Sequence, residues 1–386
     1  MARDFTIIVY GATGFTGRLV AEYLAANYPT LRWAMAGRDQ NKLQQVRAEI
    51  GAPPELPLLV ANASDPASLA TMATRADVII TTVGPYQLYG SELVAACAAA
   101  GTAYVDLCGE PAWMREMIDA HQARAQTSSA RIVFSCGFDS IPFDLGVQQL
   151  QKLCAERFGT PAPRIKGRVR AMKGGASGGT VASLKATLAA AARKPSLFKL
   201  LADPFALTPG FEGPDQPNGL LPRYDSAIGA WVAPFIMAPI NTKNVHRTNF
   251  LAGHPYGNDF RYDEMMVAPG LGELGKAAAE AIAKANPFAD DHGPKPGEGP
   301  SKEERESGFY DILFVAEYED GRTARLSVKG DRDPGYGSTS KMIAESALCL
   351  AEDVKGTGGV WTPGAIMADA LVKRLEAKAG LSFQPE

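Results

Sequence analysis

Phe5-Thr-Ile-Ile-Val-Tyr10-Gly11-Ala-Thr-Gly-Phe-Thr-Gly17 is the stretch on which the fold turns. Phe5 to Tyr10 is an apolar run of strand length, and Gly11 cuts it. From about Gly14 to Asn27 the apolar residues Phe15, Leu19, Val20, Tyr23 and Leu24 share one helical face. A glycine turn between strand and helix exposes main-chain N–H groups at the positive end of a helix dipole, as a pyrophosphate requires. Gly11 permits the tight turn, Gly14 lets the backbone approach the phosphate, and Gly17 lets the helix pack close to the sheet. The spacing is GxxGxxG rather than GxGxxG, and a ligand-free glycine turn would contain the same residues. Its place at the first strand–helix junction of an alternating chain favours the dinucleotide reading. Gly11, Thr13, Gly14, Phe15, Thr16 and Gly17 are then the residues expected around the phosphates.

Outward from this motif, strands and helices alternate through residue 145. Further strands are expected at Leu31–Ala36, Leu56–Ala61, Asp77–Val83, Tyr104–Leu107 and Arg131–Ser135, with helices between them. This pattern predicts a Rossmann-type, doubly wound parallel sheet with ligands at the carboxyl ends of its strands. The second strand ends Ala36-Gly37-Arg38, with no acidic residue at 31–38 to take ribose hydroxyls. Arg38 is placed to pair with a 2′-phosphate, and Lys42 adds charge, so the expected cofactor is NADP. The alternative leaves Arg38 in solvent and gives an NAD ribose to Asp39. Gly84-Pro85-Tyr86, after the fourth strand, is expected beside the ribose or nicotinamide. Asp65 is expected either near the adenine or as a cap for the helix after Pro66.

Beyond residue 145 the pattern changes to an α+β substrate domain. Arg164–Met172 alternates as a half-buried antiparallel strand, with Lys166, Arg168 and Arg170 on one face and Ile165, Val169 and Ala171 on the other. The basic face reads as solvated, or as a dock for a phosphopantetheine or an acidic carrier. A glycine turn at 174–179 leads into a helix at about 180–192, and 286–308 reads as polar loop. Glu319-Asp-Gly-Arg322 marks a hairpin between Tyr310–Tyr318 and Thr323–Gly330. Helices are expected at Ser338–Asp353 and Thr362–Ala379. Leu197–Leu207 and Trp231–Ile240 are core or walls of an acyl groove.

A net charge of −3 over 386 residues gives no reason to expect nucleic acid. Cys97, Cys108, Cys136, Cys154 and Cys349 form no CxxC pair and read as reduced thiols of a cytoplasmic protein. The four histidines lack metal-ligand spacing, so no metal is expected. No stretch has the apolar length of a spanning helix.

Several strings together resemble the saccharopine dehydrogenase-like oxidoreductases, in their trans-acting enoyl reductase branch. They are Tyr10-Gly-Ala-Thr-Gly-Phe-Thr-Gly17, Ala36-Gly-Arg38, Thr82-Val-Gly-Pro-Tyr86, Tyr104-Val-Asp-Leu-Cys-Gly-Glu110 and Cys136-Gly-Phe-Asp-Ser-Ile-Pro142. Gly335-Tyr-Gly-Ser-Thr-Ser-Lys341 and Gly358-Gly-Val-Trp-Thr-Pro-Gly364 extend the likeness to the C-terminal part. The resemblance implies a Rossmann domain (1–145), an inserted substrate domain (146–335) and C-terminal helices (336–386) returning to the Rossmann half. It also implies reduction of an acyl-chain double bond in a small-molecule or carrier-bound lipid or polyketide intermediate.

Such a reaction needs hydride delivery, a proton at the α-carbon and a donor for the developing oxyanion. Tyr86, Glu110, Asp139 and Ser140 lie at expected strand ends, and Tyr336 and Lys341 are candidates on the returning segment. Tyr86 and Asp139 are the residues expected nearest the reacting atoms. Their structural alternatives are a packing role for Tyr86 and helix caps for Asp139 and Glu110. Two other functions fit the same fold. One is a saccharopine-type imine dehydrogenase, which needs cations converging on substrate carboxylates. The other is a non-catalytic, lipid-associated protein with peripheral membrane contact.

Overall fold

The computed structural model describes residues 3–174, 183, 196–285 and 298–386. The strands are β1 (Phe5–Tyr10), β2 (Trp33–Gly37), β3 (Leu58–Val60), β4 (Ala76–Thr81), β5 (Ala103–Val105), β6 (Arg131–Val133), β7 (Arg164–Lys173), β8 (Arg223–Asp225), β9 (Ala230–Pro234), β10 (Arg261–Val267), β11 (Phe309–Glu317), β12 (Thr323–Gly330), β13 (Gly359–Trp361) and β14 (Leu381–Pro385). The early helices are α1 (Phe15–Asn27), α2 (Gln40–Glu49), α3 (Pro66–Ala73), α4 (Tyr86–Tyr89), α5 (Ser91–Ala100), α6 (Pro111–Ser128) and α7 (Ile141–Phe158).

The first sheet runs β13-β6-β5-β4-β1-β2-β3, and its pairings are parallel. β1 is apolar apart from Thr6 because both of its faces are covered: Ile7 and Val9 join one core cluster, Ile8 and Tyr10 the other. From β1 the chain winds outward to β2 and β3, then restarts on the other side with β4, β5 and β6. The strand order therefore reverses between β1 and β4. A crevice opens at the carboxyl edge of such a switch point, and the glycine turn lies there.

The second sheet runs β14-β12-β11-β7-β10-β9-β8. β7 is central, antiparallel to β11 and parallel to β10, which corrects the expectation of a half-buried antiparallel strand. The register shifts between Asp311 and Ile312, opposite Ala171 and Val169, so strict alternation stops there and Ala171 is exposed. The basic face of β7 is not solvated. Arg168 is fully buried, with Nε 2.7 Å from Asp225 and Nη1 3.1 Å from Asp263. Lys166 meets Asp225 and Glu317, Arg164 meets Asp263, and Arg170 meets Asp311 and Glu386. Burying these cations requires such partners, and they come from β8, β10, β11 and the C-terminus. Little of that face remains for an acidic carrier.

α7 packs against the inner face of this sheet. Gly146 permits the approach: a Cβ there would stand 2.4 Å from the Phe314 ring. The C-terminal segment serves both sheets, since β13 extends the first and β14 pairs with β12 in the second. The single helix expected at Thr362–Ala379 is broken near Ala368, where φ is +43°. The glycine turn beyond Gly174 and the helix at 180–192 lie outside the described residues, except Ser183. In the loop expected at 286–308, residues 302–307 form a short helix with a Ser301–Glu304 capping box. No helix among the described residues is long and apolar enough to cross a membrane.

Candidate active site at the carboxyl edge of the parallel sheet

The glycine turn is a shaped cradle. Gly11 has φ +89°, its N–H donates to the Ala36 carbonyl at 3.0 Å, and its own carbonyl accepts from the Gly14 N–H at 2.9 Å. The amides of Phe15, Thr16 and Gly17 stand in the first turn of α1, beyond reach of intrahelical acceptors, and no side chain caps them. Gly14 is exposed at the mouth and Thr13 is half-buried behind it. A turn that presents uncapped amides beside an exposed glycine fits a diphosphate.

Arg38 is exposed just past β2 and has no ion-pair partner among the described residues. Asp39 caps α2, accepting from the Asn41 and Lys42 amides at 3.0 and 3.1 Å. Both bonds fall on Oδ1, which gives Asp39 a structural role at the start of α2. The Lys42 side chain is exposed on the first turn of α2. Asp65 caps α3, accepting from Ala67 and Ser68, so its carboxylate has the structural role weighed for it.

Gly84 and Pro85 follow β4, and Ser183 Oγ lies 3.7 Å from where a Gly84 Cβ would stand. Tyr86 does not stand free beside reacting atoms, which corrects the expectation of a proton donor. It is buried, its hydroxyl donates to the Thr81 carbonyl at 3.2 Å, and the hydroxyl accepts from the Leu107 amide at 3.1 Å. Burial pushes its pKa well above the ordinary value, and the Asp106 charge adds to this. Tyr86 thus ties the end of β4 to that of β5. Glu110 does not use its side chain to cap α6. Its two carboxylate oxygens accept from the Tyr86 and Gln87 amides, each at 2.9 Å, and so hold α4 in place.

Asp139 is different in kind. It sits half-buried in the loop between β6 and α7, and its side chain makes no cap for α7. Its carboxyl has no hydrogen-bond partner among the described residues, and burial alone pushes its pKa up to about 7. The neighbouring Ser140 Oγ accepts from Asn244 Nδ2 at 2.7 Å.

Asn241, Asn244, Tyr262 and Glu264 complete the surroundings, and sequence reasoning missed them. Asn241 Nδ2 and the Tyr262 hydroxyl donate to the two oxygens of Glu264, both at 2.9 Å. Burial pushes Glu264 well above the usual carboxylate range, and the nearby Asp139 charge adds to it. Both asparagines lie on the helix Ala238–Leu251, which buries Asn241, Lys243, Asn244, His246, Arg247, Thr248 and Asn249. A helix so polar on all sides must bridge other elements, and that was the legible signal. Lys243 on it donates to the Leu201 and Pro239 carbonyls, and Arg247 to those of Leu207 and Val360, while Arg247 Nε is buried without a partner among the described residues.

Distant strings converge on this corner. The Thr339 hydroxyl accepts from the Phe138 amide at 3.0 Å, and the Gly364 amide donates to Asp144 at 2.7 Å. Tyr336 lies against the glycine turn instead, edge-on to Phe15 at 5.2 Å. Lys341 is half-buried, and burial lowers its pKa. Leu207, Val232 and Ile240, from the two apolar stretches, are core residues, while Phe198 and Ile236 remain exposed.

Residues 7–133 match the saccharopine dehydrogenase NADP binding domain. The trans-acting enoyl reductase of Mycobacterium ulcerans is 39% identical over 97% of this chain and 96% of its own length. A trans-acting enoyl reductase of Mycobacterium tuberculosis is 38% identical over the same shares. The chain belongs to the trans-acting enoyl reductase family. A further Mycobacterium tuberculosis member reaches 42% identity over 99% of this chain and 97% of its own. Apo saccharopine dehydrogenase (L-Glu forming) from Saccharomyces cerevisiae covers 99% of both chains with a TM-score of 0.54 at 11% identity, a likeness of fold alone.

The protein is thus an NADP-dependent oxidoreductase of this family. Arg38→Ala should weaken NADPH by roughly tenfold or more, the scale of a hydrogen bond to a charged group, and leave NADH unchanged. Fluorescence titration of both cofactors checks this, and equal losses would exclude a 2′-phosphate contact.

Proposed function

We propose that this chain reduces the C=C bond of an enoyl substrate, with Asp139 as the proton donor. The observation that carries this reading is the unpartnered Asp139 carboxyl, raised to about 7 at the carboxyl edge of the sheet. An acid of that strength is part-protonated near neutral pH, as a general acid must be. The glycine turn and Arg38 would hold NADPH, which when bound would supply the hydride for the β-carbon. Asp139 gives its proton to the α-carbon and regains one from solvent at its exposed edge. Ser140 is fully buried and its Oγ accepts from Asn244, so it braces the loop that carries Asp139. Glu110 and Tyr86 act indirectly, fixing the loops after β4 and β5.

The acyl chain has a fitting place in the second domain. Gly167 on β7 and Glu264 on β10 are paired beside the site. Farther along the same strands, Val169, Ala171, Met172, Met266, Val267 and Ala268 line a half-open groove of about 380 Å³, predominantly but not wholly apolar, with Arg170 at its wall. The imine reading needs cations aimed at substrate carboxylates. The cations of the buried helix instead donate to main-chain carbonyls and Arg168 to buried aspartates, although Arg247 Nε and Arg168 Nη2 keep no partner among the described residues.

NADPH and NADH oxidation against matched panels of enoyl thioesters and imino acids tests the proposal. NADPH-dependent turnover of enoyl thioesters is expected. Turnover of imino acids alone would overturn it. Cofactor binding with turnover of neither panel would favour the non-catalytic lipid-associated reading.

A further inference from the structure

A cation from outside the parallel sheet reaches the glycine turn. Arg305 lies on the short helix Lys302–Ser307, which leads into the second sheet. Its guanidinium stands over the Phe15 ring, with Cζ 5.6 Å from the centroid. Phe15 opens α1, and its amide is one of the uncapped donors of the cradle.

The placement is fixed from several directions. Gly299 closes on the same ring so tightly that a Cβ there would stand 2.5 Å from Phe15 Cε1. Tyr336 packs edge-on against that ring. The Arg305 carbonyl accepts from the Asp333 amide at 3.0 Å, and Asp333 in turn accepts from the amides of Gly335, Tyr336 and Gly337. The Arg305 guanidinium is half-buried and donates once, from Nη1 to the Pro300 carbonyl at 2.7 Å. It has no carboxylate partner among the described residues: Glu304 is turned back onto Ser301, and Glu306 faces Lys302. Four of its five N–H donors thus remain for something else.

We infer that Arg305 clamps the cofactor diphosphate, so that cofactor binding ties the second domain to the α1 N-terminus. This rests on the diphosphate lying in the glycine turn. Charge-assisted guanidinium–phosphate hydrogen bonds suit this geometry. The clamp differs from Arg38 in what it reads, because the diphosphate is common to NADPH and NADH.

Cofactor binding to the full chain, followed by tryptophan fluorescence, separates the possibilities. Arg305→Met, which keeps an apolar cover on Phe15, should weaken NADPH and NADH by the same factor, about tenfold. It should leave 2′-AMP, which lacks the diphosphate, unaffected. Arg305→Lys keeps the charge and should recover most of the loss, which guards against a folding defect in the methionine variant. Unchanged affinity for both dinucleotides in a folded Arg305→Met would overturn the clamp and leave Arg305 as a cover over Phe15. Loss confined to NADPH would overturn it in favour of a 2′-phosphate contact. A wild-type chain that binds neither dinucleotide would overturn the site itself.

Discussion

Asp139→Asn should lower turnover of an enoyl substrate by about 10²–10⁴-fold, the usual contribution of a positioned general acid, with NADPH affinity unchanged. The amide keeps the shape of the side chain and removes the transferable proton. Wild-type turnover should fall as pH rises through about 7, where the carboxyl ionises, and this fall should disappear in the variant. Stability gives an independent check. Burial raises the folded-state pKa above the ordinary 3.8, so the fold favours the protonated form. The linked stability is present in full below the ordinary value and is lost as pH rises through about 7. The variant should therefore gain in melting temperature over wild type, and gain more at pH 8 than at pH 5. Asp106 and Asp144 are also raised to about 7 by burial, but they titrate in both proteins and cancel in the difference. Native turnover in the variant would remove Asp139 from the chemistry.

The nucleotide half was legible because its signals are local. An apolar strand, three glycines and an amphipathic helix sit within one short segment, and Arg38 follows the next strand directly. Where the sequence misled, the deciding partner was remote. Lys166, Arg168 and Arg170 have the periodicity of a solvated face, but the aspartates that bury them come from β8, β10 and β11. Tyr86 looks like a donor because it adjoins Gly84 and Pro85, yet its hydroxyl is held by Thr81 and by Leu107 from the next strand. Glu110 precedes a proline and a helix, as a cap does, and instead reaches back to α4. Asp139 is the converse: a cap by position, it leaves its helix uncapped. Asn241, Asn244 and Glu264 belong to elements more than 100 residues from Asp139; the polarity of the helix at 238–251 marks it as a bridge, but nothing in the chain names Asp139 as what it meets.

Gly17→Ala should lose both stability and cofactor binding, whereas Gly14→Ala should lose chiefly the second. A Cβ on Gly17 would stand 2.1 Å from the Gly11 carbonyl oxygen and 2.7 Å from Thr82 Oγ1. The Gly11 backbone has little room to yield. Its amide is bound to Ala36, its carbonyl accepts from Gly14, and its own missing side chain leaves the space filled by Thr82 and Val83. The relaxation left is for α1 to lift off the sheet, carrying the Phe15 and Thr16 amides away from the diphosphate. Overpacking of this kind costs about 1–3 kcal/mol or more, which a thermal melt resolves as a drop of several degrees, roughly 2–4 °C per kcal/mol for a domain of 150–250 residues. At Gly14 the nearest atom to an added Cβ is the Gly11 oxygen at 3.3 Å, so a few tenths of an ångström relieve it. Gly14 is exposed at the mouth, and there a methyl group intrudes on the ligand rather than on the fold. Melting curves and NADPH titrations of the two variants should therefore split: both measurements fall for Gly17→Ala, and affinity alone falls for Gly14→Ala. A Gly17→Ala protein with wild-type melting and wild-type affinity would mean that the helix does not need its close seat on the sheet, and that the cradle does not position the cofactor.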